Sequence, residues 1–150
     1  MSYEPEAQRA ATHSVTELRD ATTFPPAAVE LLQRTLEEFE RVHGTEHTRT
    51  VDLRRHFAVV LQSRGCVSEA LPHFERVLLA HERSLGSSAP ETLEARYELA
   101  LAHRDAGRHE QGLIVLADTV VEAERTLGAR HALAIASRQL RAELLDSAGG

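Results

Sequence analysis

"ERVHG" at residues 40–44, "ERSLG" at 82–86 and "ERTLG" at 124–128 are one phrase written three times, each copy 42 residues after the last. Sliding the chain on itself by that period aligns Gly65 with Gly107, Ala58 with Ala100, Leu71 with Leu113, Thr50 with Thr92 and Arg54 with Arg96. Between 44–85 and 86–127 nine positions are identical, and most of the others keep their polarity. A fixed period of this length marks a chain of stacked units, each a supersecondary element that cannot bury its apolar face alone.

The phrase itself reads as a helix terminator. In "VSEALPHFERVLLAHERSLG" (67–86) apolar side chains fall at 67, 70, 71, 74, 77, 78 and 85, the rhythm of one helical face. The next copy repeats it with Leu113, Leu116, Val120, Ala123 and Leu127. Each stripe stops at a glycine, where a helix end favours a left-handed residue, and an Arg just before it suits the negative end of the helix dipole. A second helix precedes each of these: "TVDLRRHFAVVLQSRG" at 50–65 and "TLEARYELALAHRDAG" at 92–107. Thr50 and Thr92 are the expected N-caps, Pro90 and Glu91 help to start the second of these helices, and Asp52 and Glu94 suit a first turn. Two helices joined by a tight turn make an antiparallel hairpin.

The ends of the chain hold partial units. "PPAAVELLQRTLEEFERVHG" (25–44) reads as the second helix of an earlier unit, carrying Leu31, Leu32, Leu36 and Phe39. Residues 131–146 read as the first helix of a later one, with Ile135, Leu140, Leu144 and Leu145. The expected organisation is a degenerate helix or flexible tail over 1–22, then a repeat domain over 23–150 with units at about 23–43, 44–85, 86–127 and 128–146. Phe24-Pro25-Pro26 breaks the first segment from the second.

Composition removes several function classes. The formal charge of -6 repels phosphate backbones and anionic lipid heads, so nucleic acid and membrane surfaces are poor partners. All 17 basic residues are Arg, which leaves only forked cations for pairing carboxylates. Aromatic residues make up 4% of the chain, so the core must be built from Leu, Val and Ala. The lone Cys66 excludes an internal disulfide framework and fits a reducing compartment. The apolar runs "FAVVL" (57–61) and "LIVLA" (113–117) are too short to span a bilayer, and a cytoplasmic location is expected. No phosphate loop, nucleophile elbow or HExxH motif is present, so neither an enzyme nor a cofactor is expected. His43 and His47 have i, i+4 spacing, but Gly44 between them breaks the helix, so no metal site is expected.

The small residues at Ala58 and Ala100, the glycines at 65 and 107, the small residues at Ala70 and Gly112, then Phe74 and Leu116 resemble the tetratricopeptide repeat. The 42-residue period, with "ALAHRDAGRHEQGL" followed by "ERTLG", is similar to the longer variant of kinesin light chains and many bacterial regulators. The chain departs from that variant's His-Pro-Asp-Thr, writing "HTRT", "APET" and "HALA" instead, and the third copy lacks the capping Thr. HEAT-like pairs have a similar period. The resemblance implies an all-α, right-handed α-solenoid of antiparallel helix hairpins, about three repeats with partial end units. It also implies a non-catalytic module whose first helices line a concave groove for a partner's peptide or helix. Carried over position by position, the groove is lined by Asp52, Arg55, Val59 and Gln62, then by Glu94, Tyr97, Leu101 and Arg104, with Asp105, Gln139 and Glu143 extending it. Its two guanidinium forks would pair a partner's carboxylates. Two other readings stay open: a sensor of a small peptide or metabolite, and a self-associating assembly protein that forms a homodimer through its Leu-bearing end helices.

Overall fold

The computed structural model describes residues 25–149, so the reading of 1–22 lies outside the described residues. Six helices follow one another: α1 (Pro26–His43), α2 (Thr48–Ser63), α3 (Val67–Leu85), α4 (Pro90–Asp105), α5 (His109–Leu127) and α6 (Ala132–Gly149). No strand occurs among the described residues. Each helix packs against the next in sequence, and α4 also reaches α6. The described chain is therefore a row of consecutive helix pairs in which α2, α4 and α6 are first helices and α1, α3 and α5 second helices.

The glycines do what the periodicity requires, with one difference. Gly65 and Gly107, inside the hairpins, have φ of 80° and 75°. Gly44, Gly86 and Gly128, at the ends of the second helices, have φ of 87°, 88° and 99° with ψ of 166°, 167° and 150°. These three are therefore not in the left-handed helical well; they are extended with positive φ, a region essentially confined to glycine. The chain leaves each second helix straight outward, and the glycine N–H closes the last turn on the carbonyl of Glu40, Glu82 or Glu124.

Those glutamates do a second job with their side chains. Arg96 Nη2 lies 3.2 Å from Glu82 Oε1, Arg138 Nη1 lies 2.9 Å from Glu124 Oε1, and Arg54 makes the same ion pair with Glu40. The repeated Glu thus fixes both the end of its own helix and the Arg of the next first helix. Arg54 and Arg96, aligned by the 42-residue shift, thus make equivalent structural ion pairs. Arg54 also donates from Nη1 to His73 Nδ1 at 2.9 Å. Because an arginine only donates, that ring nitrogen must be the unprotonated one.

The N-caps differ from expectation. Helix α2 begins at Thr48, capped by His47, whose Nδ1 accepts from Arg49 N at 3.2 Å. Helix α4 begins at Pro90, with Ala89 as a cap that makes no side-chain bond. Thr50 and Thr92 sit inside the first turn, fully buried, and the Thr92 hydroxyl reaches back to the Gly86 carbonyl at 2.7 Å. The third copy starts a helix without the threonine, because His131 Nδ1 accepts from Leu133 N at 3.1 Å, as His47 does.

The core runs down the row as overlapping aliphatic clusters. Leu36, Phe57, Leu71, Phe74 and Leu99 make its front, and Ala100, Leu116, Leu140 and Leu144 its back. Each large side chain buried this fully stabilises by about 1.5–3 kcal/mol. Leu85, counted in the apolar stripe by spacing, is exposed at the helix end.

Candidate partner-binding groove

Positions 52, 55, 59 and 62 are spaced to share one face of α2, and the 42-residue shift carries them to 94, 97, 101 and 104 on α4. The structure ties this face together from helix to helix. Arg55 Nε donates to both carboxylate oxygens of Glu98 at 2.9 Å, and its Nη2 donates to Glu94 Oε1 at 3.1 Å and again to Glu98. Gln62 Nε2 donates to Asp105 Oδ2 at 2.8 Å. Arg104 Nε lies 3.1 Å from Asp105 Oδ1, and its Nη1 donates to Glu143 Oε2 of α6 at 3.3 Å. The ties between helices join residues 39 or 43 apart, values on either side of the 42-residue period that differ from each other by about one helical turn. Adjacent first helices are thus cross-braced along one face.

The electrostatics follow from the bracing. The hydrogen bond that Arg55 donates to Glu98 raises the Arg55 pKa further above its ordinary value, against the opposing effect of burial and with help from the Glu98 and Glu94 charges. Burial opposes the Arg104 charge, but Asp105 and Glu143 outweigh it and raise that pKa as well. The two forks expected to stand free for a partner's carboxylates are therefore already engaged, each with two acids of this chain.

Between the braces lie clefts. One, of about 610 Å³, opens between α4 and α6, with Tyr97, Leu101, Leu127, Leu133 and Ala136 as its apolar lining and Arg55, Glu94, Glu98 and His131 as its polar lining. A second, of about 200 Å³, is lined by Val59, Gln62, Phe74, Leu101, Arg104 and Asp105. The two share Glu98 and Leu101 and so run on along α4. A small recess of about 70 Å³ gathers Asp52, Arg55 and Glu94 beside Glu91.

The eight residues assigned from sequence thus fall into three adjoining depressions. Val59, Gln62, Leu101 and Arg104 share one, Arg55, Glu94, Tyr97 and Leu101 another, and Asp52 joins Arg55 and Glu94 in the third. Val59 is 8% exposed, so it contributes a buried floor rather than a surface. Of the residues assigned to extend the groove, Asp105 and Glu143 join the bracing and Gln139 is exposed. Sequence reasoning missed Glu98, His131, Leu127 and Leu133. Glu98 follows Glu94 by one turn, which was the available signal for it.

His43 and His47 come closer than their spacing across Gly44 suggested, with ring centroids 5.0 Å apart, and Phe39 lies 5.4 Å beyond His43. Among the described residues no group of three or more His, Cys, Asp or Glu is placed to hold a metal ion. No helix among them is long and apolar enough to cross a membrane.

Residues 49–118 match the tetratricopeptide repeat family model. The fold is similar to solved structures of the nearly identical TPR-like repeats of a Podosopora anserina protein named as a kinesin light chain. One is 24% identical with a TM-score of 0.80, covering 99% of this chain and 70% of that one. A single-substitution variant of the same repeats is 23% identical with a TM-score of 0.81, at the same coverage. No protein of curated function matches the chain. Tetratricopeptide repeats generally mediate protein–protein interaction, and their fold is typically a non-catalytic scaffold. Residues 49–118 are thus similar to tetratricopeptide repeats, and the six described helices have the fold of a tetratricopeptide-type solenoid.

Proposed function

We propose that the protein is a non-catalytic interaction module that takes a peptide or helical segment of a protein partner along the face of α2, α4 and α6. The observation that carries this reading is the apolar cleft of about 610 Å³ floored by Tyr97, Leu101, Leu127 and Leu133. Peptide-binding surfaces owe most of their affinity to a few buried anchors, and an aromatic beside leucines within a polar rim is such an anchor site. The test is a photo-crosslinking residue placed at Tyr97 and, separately, at Ile114, which is 68% exposed on a second helix. Discrete partner adducts from position 97 alone support the reading. Equal adducts from position 114, or none from 97, count against it.

A second reading, self-association, is favoured by one observation. Ile135 and Leu145 of α6 occupy the places held by Leu93 and His103 on α4 and by Val51 and Leu61 on α2, all of which are buried. On α6 the same positions are 38% and 54% exposed. An open apolar helix face of this kind suits pairing with another copy. Light scattering on Ile135→Glu with Leu145→Glu decides it: a wild-type dimer converted to monomer supports pairing, and a wild-type monomer excludes it.

A further inference from the structure

We infer that the groove is selective for a basic segment, one carrying an apolar anchor flanked by Arg or Lys. This rests on the groove reading above and specifies its partner chemistry. Around the connected clefts stand six carboxylates, from Asp52, Glu91, Glu94, Glu98, Asp105 and Glu143, against two guanidiniums, from Arg55 and Arg104. Both guanidiniums are occupied, Arg55 by Glu94 and Glu98 and Arg104 by Asp105 and Glu143. The acids are not symmetrically occupied. Glu94 and Glu143 are 53% and 56% exposed and each offers one oxygen to its arginine. Asp52 and Glu91 are exposed beside them.

A partner's carboxylate would have to displace an internal acid from an arginine and would enter a field of surplus negative charge. An incoming ammonium or guanidinium meets unspent acceptors at both ends of an apolar floor. The exposed acids at the two ends are Glu94 and the Glu143 held by Arg104, and residues 94 and 104 are about 15 Å apart along α4 at its rise per residue. An extended chain spans that distance in about five residues. The segment that fits therefore carries basic residues about five apart with one large apolar residue between them, seated against Tyr97 and Leu101.

The experiment is selection of a random 12-residue peptide display library on the full chain, followed by fluorescence anisotropy on the enriched peptides. The expected result is net positive peptides with a central apolar residue. Their Kd should weaken by about tenfold in Glu94→Gln with Glu143→Gln, and binding should be lost in Tyr97→Ala, with helical circular dichroism unchanged in both. Enrichment of acidic or neutral peptides that depend on Tyr97 overturns the charge inference and leaves the groove reading standing. Basic peptides indifferent to Tyr97→Ala overturn the inference too, because they then bind elsewhere through net charge. Failure to enrich any peptide removes the groove reading along with it.

Discussion

Arg54 at the front of the row and Arg138 at its back hold the same place two repeats apart and grip equivalent glutamates, yet their side chains are 4% and 36% exposed. Arg96, between them, is 17% exposed. The geometry repeats while the dielectric surroundings do not. Burial, with Arg76 alongside, pulls the Arg54 pKa below its ordinary value, so its charge leans on Glu40. Arg138 is far more open to water than Arg54 and also donates to the Ala129 carbonyl at 2.9 Å. A repeat conserves contacts but not their worth.

The largest expected effect breaks the clasp at its deep end. Glu40→Ala strands the Arg54 charge and should cost about 3 kcal/mol, the scale of breaking a buried pair. Glu124→Ala should cost less than about 1 kcal/mol, with Glu82→Ala between, all read from urea midpoints. Equal losses at the three sites would show that depth does not govern the clasp. The next test is a contrast that should not be graded. Gly44, Gly86 and Gly128 share one backbone conformation, and no atom lies within 4 Å of an added Cβ at any of them. Alanine at each should therefore cost a similar amount, about 1–3 kcal/mol, from backbone strain alone.

A smaller effect separates the repeats by pH. His103 is buried where the preceding repeat has Leu61, and burial holds its pKa below the ordinary 6.5, against the pull of Glu75 and with the push of Arg108. The unfolded chain therefore takes up a proton near pH 6.5 that the folded chain refuses, so stability falls as pH drops through that value. In His103→Leu the thermal midpoint should fall less steeply between pH 7 and 5 than in the wild type, and parallel slopes would refute this. His73, lowered by burial and by Arg54 and Arg76, adds to the same trend.

The smallest effect concerns a volume exchange between repeats. Gly112 is buried, and a Cβ there would meet Leu144 Cδ1 at 2.9 Å. One period earlier the corresponding pair is Ala70 and Ala102, both fully buried. The same space is divided as small with large in one place and medium with medium in the other. Gly112→Ala should be nearly neutral, within about 1 kcal/mol, because the gain in helix propensity offsets the displaced leucine methyl. In Leu144→Ala the same change should become stabilising.

The fold was legible because glycine spacing and aliphatic stripes are written in neighbouring residues. The threonines misled because a Thr before an apolar run is the signature of an N-cap. The caps fall three residues earlier, at His47 and Ala89, and the hydroxyls turn inward instead. That positions 52, 55, 59 and 62 share one face was legible for a related reason, since they follow helical spacing. Its chemistry was not. Whether Arg55 is free or engaged depends on Glu98, 43 residues away, and no local pattern announces a partner one period plus one residue distant. Val59 and Leu101 hold the same repeat position, yet one is buried and the other half-exposed, because the neighbours above them differ.

The braces between first helices have a mechanical consequence. They run along the face shared by α2, α4 and α6, so they act as stays on that face. Bending that opens this face stretches Arg55 from Glu98 and Arg104 from Glu143, whereas bending that closes it slackens them. The resistance to bending is thus directional, and raising ionic strength, which weakens ion pairs at the surface, should let this face open more readily than it lets it close.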